Sequence, residues 1–376
     1  MRNFLRLEVN PNRVYGLDIL RALAILFVLI GHSRYFFRPI ISEKYLSLVV
    51  FDGVSIFFVL SGFLIGKILI TTLMKNDGLN FSLIQFWINR WTRTIPTYFL
   101  ILTLLIIVSY FEGNINWDSA KFFFVFLQNF NTPHPDSFFP EAWSLAVEEW
   151  FYIITPITMF ILKRVFSLSI KKSVLIPAIL IILISTFIRY QRYCNDETIN
   201  EYLVDVVIKK QVITRLDSLM FGIIGSYIFI FHKTNWDNNK TYLFVIGLLL
   251  LLTHKTLYYF HFESFAPYYT IFSFTLFSIG TLLILPFLEN IKKGNGLLYK
   301  TLTYTSLVSY SMYLLNLSII QLRIIPSIIQ SFGIQNLNYK IAIEFFLFWI
   351  LTVILSLLLF KHFELPTMRL RKWIYS

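Results

Sequence analysis

Ten apolar runs, each centred in a stretch able to cross a bilayer, leave this chain few folds to choose from. They centre on residues 17–37, 51–73, 94–110, 143–162, 174–190, 212–231, 241–253, 268–288, 302–321 and 341–360. A helical crossing needs roughly 17–25 predominantly apolar residues. In hydrocarbon every backbone N–H and C=O must find its partner within the protein, which a helix provides by itself. Hydrophobic residues make up 56% of the 376-residue chain and charged ones 14%, with a mean hydropathy of +0.66. That is more apolar surface than one soluble core can bury. The expected fold is all-α, a polytopic membrane bundle of about ten transmembrane helices. A single membrane domain is expected to fill residues 1–376, because no internal repeat, low-complexity tract or long soluble insert interrupts them. Residues 121–130, "KFFFVFLQNF", are too short to span and are expected to be interfacial or re-entrant.

The formal charge of +12 does not point to nucleic acid, because the basic residues stand in short groups between apolar runs. There they report orientation in a bilayer. The groups Lys163/Arg164/Lys171/Lys172, Lys292/Lys293 and Arg369/Arg371/Lys372 mark the inner side, so an even number of crossings places both termini in the cytoplasm. The longest outer loops are then about 112–142 and 191–211. The first apolar run has a basic segment before it, but Ala22 and Ala24 of its Ala-x-Ala precede the apolar stretch instead of following it. It is read as a retained helix, not a cleaved signal peptide. Cys194 is the single cysteine and forms no intrachain disulfide, and no Cys/His grouping has metal-ligand spacing. No metal is expected.

Charged residues inside these runs carry the functional information. An Asp or Arg at the centre of a membrane helix costs about 2.5–3.5 kcal/mol on insertion scales, so it usually faces protein or a wet cavity. In "RVYGLDILRALAILFVLIGH", residues 13–32, Arg21 and His32 are eleven positions apart. On a helix that spacing leaves them about 20° apart on one face and about 16 Å apart along it, with Asp18 within about 60° of the same stripe. Taken singly, Arg21 can snorkel to inner headgroups and His32 can sit in the outer interface; three on one stripe favour a functional face. In "FDGVSIFFVLSGFLIGK", Asp52 lies near the outer boundary, where a helix N-terminus also favours an acid, and Ser61 and Gly62 are small packing residues. Arg90 and Arg93 of "FWINRWTRTIPTYF" lie one turn apart just before the third run, either as an inner anchor or as donors suited to phosphate. In "PEAWSLAVEEWFY", Glu141 is explained by a favourable first turn. Glu148 and Glu149 lie about 10 Å further along that helix, where carboxylates need partners. Arg215 and Asp217 of "RLDSLMFG" intrude similarly, with mutual neutralisation between helices as the plainer reading. His134 lies between prolines in an outer loop and His254 and His261 flank another; none is given a functional role.

These motifs, with "SYSMYLL" and "HFELP" following in order, cover nearly the whole chain and resemble the acyltransferase-3 family of membrane acyltransferases. The resemblance implies a bacterial inner-membrane enzyme that moves an acyl group, usually acetyl from acetyl-CoA, to a hydroxyl of a glycan or other extracytoplasmic acceptor. It implies that the family's Arg-x10-His signature is Arg21 and His32 and that its Arg-x-x-Arg is Arg90 and Arg93. The chain departs from the family in two respects. Many relatives carry a His after the "SYSMYLL" segment where this chain has Asn316. Some also carry a C-terminal esterase-like domain, so this chain is expected to be a stand-alone form in which the membrane domain completes the transfer.

The expected site follows from combining the two readings. Arg90, Arg93 and Arg21 would hold phosphate or carbonyl groups of the acyl-CoA donor. His32, Arg21, Asp52 and Glu148 would form the catalytic group, and Glu149, Arg215 and Asp18 would contact substrate. His32 would act as general base or accept the acyl group as an acyl-imidazole, with Asp52 or Glu148 fixing its tautomer or stabilising its cation. Surface glycans, among them O-antigen, capsule, exopolysaccharide, peptidoglycan and lipid-linked intermediates, are the favoured acceptors over a small macrolide or terpenoid. Two other classes fit buried charge in a bundle: a secondary transporter and a non-catalytic protein that presents glycan to other enzymes.

Overall fold

The computed structural model describes residues 13–48, 50–75, 83–135, 138–195, 197, 200–261 and 266–374, with backbone alone at 43–44, 258–261 and 371–374. The chain termini, whose side of the membrane is an expectation above, lie outside the described residues. So do the side chains of His261, Arg371 and Lys372.

Ten helices among the described residues are long and apolar enough to cross a membrane. They are α1 (Tyr15–Phe37), α2 (Gly53–Lys75), α3 (Leu83–Phe111), α4 (Ala142–Arg164), α5 (Ile170–Cys194), α6 (Val212–Phe231), α7 (Lys240–Leu257), α8 (Tyr268–Asn290), α9 (Gly296–Ser331) and α10 (Leu337–Leu370). They form an all-α membrane bundle with the expected run of crossings. The largest departure from expectation is α3, which starts at Leu83 and not near residue 94. Arg90 and Arg93 therefore lie within the helix, not ahead of it. The polar segment "NRWTRT" reads as a boundary by hydropathy, yet its Arg90, Arg93 and Thr94 turn into the bundle and the helix continues through Pro96. α9 is 36 residues long and widens to a π-helix over Asn316–Ile324.

The segment expected to be interfacial or re-entrant is a short α-helix, Trp117–Ala120, running into a 3₁₀-helix, Lys121–Val125. It ends at Phe126 with φ of 57°, a left-handed conformation uncommon for a bulky residue. Its carbonyls are satisfied by the bundle. Tyr98 Oη donates to the Phe123 carbonyl at 2.9 Å and Trp150 Nε1 to the Phe126 carbonyl at 2.9 Å.

Close approach of backbones sets the bundle's centre. A Cβ added at Gly62 would meet the Leu219 carbonyl oxygen at 1.9 Å, and one at Gly222 would meet the Val59 oxygen at 2.2 Å. The α2–α6 crossing thus requires glycine on both sides, the small-residue contact by which membrane helices pack without help from the hydrophobic effect. Asp217 of α6 is neutralised by Arg189 of α5, Nη1 to Oδ2 at 2.7 Å, with neither side chain exposed. Arg189 also donates to the carbonyls of Thr214 and Ile271 and to the Thr275 hydroxyl, tying α5, α6 and α8 together.

Near the Tyr15 end of the bundle, Lys67, Lys233 and Lys292 converge on Glu289 at 3.6, 3.7 and 2.7 Å. Cys194, exposed at the far end of α5, provides a test of orientation. If the Tyr15 end is cytoplasmic, alternate crossings place Cys194 outside. A membrane-impermeant maleimide should then label the protein in intact spheroplasts, with Cys194→Ser as the unlabelled control. Labelling only after permeabilisation would invert the bundle.

Candidate active site

The stripe on α1 is the axis of the site. Arg21 opens into one cavity and His32 into another, closer to the α1–α2 connection.

The Arg21 cavity, about 100 Å³, is lined by Arg21, Arg90, Arg93, Glu148, Tyr152 and Tyr310 among others. Tyr152 organises it. Its hydroxyl accepts from Arg90 Nη2 at 2.9 Å, donates to Glu148 Oε2 at 3.0 Å and lies 3.0 Å from Ser61 Oγ. A phenol has one proton and two lone pairs, so with Glu148 taking the proton, Ser61 is a second donor. The Arg90 guanidinium lies over the Tyr152 ring, 4.8 Å from its centroid. Trp87 Nε1 holds the Tyr152 carbonyl at 2.8 Å. Arg21 and Arg93, by contrast, have no hydrogen-bond or ion-pair partner among the described residues. Two guanidinium groups thus line a cavity within the bundle with their donors unspent.

The His32 cavity is larger, about 650 Å³, and includes Asp52, Lys209, Lys210, His254 and Lys255 in its wall. Asp52 accepts from Ser55 N at 3.0 Å and from Ser55 Oγ at 2.6 Å, and Ser55 Oγ accepts from Arg215 Nη2 at 2.5 Å. Arg215 is wholly buried behind this wall, 4.1 Å from the Phe274 ring centroid. Lys209 and Lys210 reach Asp205 at 3.1 and 2.6 Å. Burial pushes the Asp205 carboxyl up, but the two ammonium groups outweigh it and hold it down at about 2. Lys255 Nζ donates to the Ser47 and Val50 carbonyls, pinning the α1–α2 connection.

His32 is half-buried, and its Nδ1 is hydrogen-bonded to Asn316 Oδ1. This corrects the expectation that Asp52 or Glu148 fixes its tautomer: neither carboxylate bonds to it. A second correction concerns convergence. The intrusions from α1, α2 and α4 do not enter one cavity. Arg21 and Glu148 line one, His32 and Asp52 the other, and the two share Val54 and Tyr313 as wall residues. Tyr313 is held by a 2.7 Å hydrogen bond to Ser144 Oγ and donates to the Glu141 carbonyl at 3.2 Å.

The remaining expected site residues lie apart from both cavities. Asp18 is paired with Arg13 and accepts from Ser306 Oγ at 2.8 Å. Glu149 points toward α3, accepting from Trp91 Nε1 and Thr94 Oγ1, each at 3.0 Å. Asp217 is neutralised between helices, as the plainer reading expected, by Arg189 of α5, and Arg215 donates to Ser55 of α2. His254, expected to flank an outer loop without a functional role, is on the cavity wall, its Nδ1 2.9 Å from Tyr268 Oη. Glu141 does more than favour a helix start: its carboxylate accepts from Ser318 N at 3.2 Å and from Ser318 Oγ. Of the residues missed, Tyr152 was within reach, since an i,i+4 spacing from Glu148 puts both on one face. Lys209, Lys210 and Lys255 have no such local signal. Among the described residues no group of three His, Cys, Asp or Glu could hold a metal ion.

Comparison with known proteins places this geometry in a family. Peptidoglycan O-acetyltransferase OatA of Listeria monocytogenes is 34% identical over 168 residues, 40% of this chain and 25% of that protein. Putative peptidoglycan O-acetyltransferase YrhL of Bacillus subtilis is 32% identical over 169 residues, 39% of this chain and 24% of the relative. O-acetyltransferase OatA of Staphylococcus aureus is 29% identical over 243 residues, 60% and 37% respectively. The chain thus spans well under half the length of these relatives. No solved structure matches it. The model of the acyltransferase domain matches residues 14–361, from the start of α1 to the last part of α10 and across both cavities. The chain belongs to the acyltransferase-3 family of bacterial integral membrane proteins.

Proposed function

We propose that this protein is an O-acetyltransferase that takes acetyl from cytosolic acetyl-CoA and places it on a hydroxyl of a cell-wall or other surface glycan, or of its lipid-linked precursor. The observation that carries this reading is the pair of unspent guanidinium groups, Arg21 and Arg93, in a cavity abutting the one that contains His32. Uncompensated cations inside a membrane bundle call for an anion or a strong acceptor group, and planar guanidinium forks suit phosphate and carbonyl oxygens. With the Tyr15 end cytoplasmic, Arg21, Arg90 and Arg93 receive the donor while the larger cavity receives the acceptor from outside. The names of the relatives favour peptidoglycan among the possible glycans.

In the general-base route His32 takes the proton of the acceptor hydroxyl, whose oxygen attacks the thioester carbonyl carbon. The C–S bond breaks, the acetyl ester forms, and the CoA thiolate leaves with the proton held on the imidazole. In the covalent route the imidazole attacks the thioester carbonyl first, the C–S bond breaks and CoA leaves as the thiolate; the acceptor hydroxyl then attacks the acyl-imidazole, the C–N bond breaks, and the hydroxyl proton stays on the released imidazole. Arg21 and Glu148 flank the donor, and Asp52, through Ser55, balances the buried Arg215 beside the acceptor cavity. Glu149 and Asp18 act on substrate only through the helices they brace.

The test is consumption of acetyl-CoA by membranes containing the protein, read as free thiol, together with mass analysis of surface glycan with and without the gene. Thiol release and an acetyl increment are expected. Membranes that release no thiol beyond those lacking the protein would remove the enzymatic reading and leave a transporter or glycan-presenting protein.

A further inference from the structure

We propose that Asn316 is the positioning residue that sets the tautomer of His32, with the proton on Nδ1 and the bare lone pair on Nε2 facing the acceptor cavity. Both Asn316 Nδ2 protons have takers, the carbonyls of Met312 at 2.9 Å and Tyr313 at 2.8 Å, and the side chain is fully buried. Turning the amide over would set its oxygen against two carbonyl oxygens that can only accept. Oδ1 therefore stays toward His32, and an amide oxygen cannot donate. The shared hydrogen must come from the ring, so Nδ1 carries it.

Nε2 has no hydrogen-bond partner among the described residues, and the ring lines the large cavity. In a neutral imidazole with Nδ1 protonated, Nε2 is the acceptor. Either route to transfer, proton abstraction or acyl-imidazole formation, needs that lone pair.

The backbone around Asn316 explains how the amide is held. Asn316 begins the π-helix Asn316–Ile324, and π-helical turns inside longer helices are frequent at functional sites. Two residues on, Ser318 is clamped by Glu141 through its N–H and its hydroxyl. Three further on, Gln321 Nε2 donates to the His32 carbonyl at 3.3 Å. One π-helical segment of α9 thus grips His32 by its ring and its main chain, and the first residue of α4's N-terminal flank grips that segment.

The decisive measurement is ¹⁵N NMR of the full-length protein in lipid bilayers with labelled histidine, the His32 signals being assigned by their loss in His32→Gln. At neutral pH the expected result is a protonated Nδ1 and an unprotonated Nε2. A neutral ring with the proton on Nε2, an even mixture of tautomers or a doubly protonated ring would each overturn the proposal. In Asn316→Leu, which removes the acceptor, the Nε2-protonated tautomer should appear. The activity arm rests on the transferase reading: kcat should fall by about tenfold to a hundredfold with the donor KM unchanged, by analogy with partners that orient a metal-bound histidine. A leucine variant with native tautomer and native kcat would overturn the positioning role. If wild-type membranes release no thiol, the transferase reading fails, yet the spectrum still decides the tautomer.

Discussion

His32→Gln is expected to reduce acetyl transfer by about 10²- to 10⁴-fold, the contribution typical of a positioned general base, while the protein inserts and purifies as before. Glutamine can hydrogen-bond to Asn316, so the α1–α9 contact survives, but an amide has neither a lone pair of comparable basicity nor a nucleophilic nitrogen. Insertion is spared because replacing one polar side chain with another near the end of a membrane helix changes little in transfer energy. His32→Ala should be equally inactive and should also leave the Asn316 amide oxygen without a partner, at a cost of about 1–3 kcal/mol. Comparing the two variants separates chemistry from support. Normal acetylation by a well-expressed glutamine variant would remove both base and acyl-imidazole roles. In active protein, a hydroxylamine-sensitive acetyl trapped on His32 would select the covalent route over proton abstraction.

How far the site was legible depends on whether each partner is local in sequence. The ten crossings were readable because hydropathy summed over a span is a property of one contiguous segment. The Arg21–His32 stripe was readable for the same reason, since helical periodicity alone puts the two on one face. What stayed open is which distant segment supplies each partner. Asp217 and Arg215 are two residues apart, yet their partners are Arg189 of α5 and Ser55 of α2. Arg189 carried no reading in the sequence: it lies next to the end of the run at 174–190, whereas α5 continues to Cys194.

The boundary of α3 failed for a related reason. Hydropathy marks a helix end where polar side chains begin, but polar side chains that face a cavity leave the helix intact. Asn316 illustrates the limit from the other direction. Its position stood out as a departure from the family, and only the structure shows its amide engaged with His32. Glu141 was sufficiently explained by a helix dipole, and that adequate local account hid its grip on Ser318.

Arg93→Leu is expected to raise the apparent KM for acetyl-CoA by about tenfold to a hundredfold, the equivalent of losing one hydrogen bond to a charged group at about 1.5–3 kcal/mol. Arg93 has no partner to release among the described residues, so its loss should fall on the donor and spare the fold. Arg90→Leu should behave differently. Arg90 donates to Tyr152, and Tyr152 donates to Glu148, so its removal disturbs the tyrosine and leaves a buried carboxylate without its nearest cation. Transfer and stability should both decline. The Lys variants separate charge from shape. Lysine keeps the positive charge but not the planar fork, so Arg93→Lys should recover only part of the donor affinity if the fork engages phosphate or carbonyl oxygens, and all of it if a point charge suffices. Leu and Lys variants at position 93 that both keep native donor affinity would reduce Arg93 to a charged wall residue. They would also remove the main support for donor entry beside Arg21.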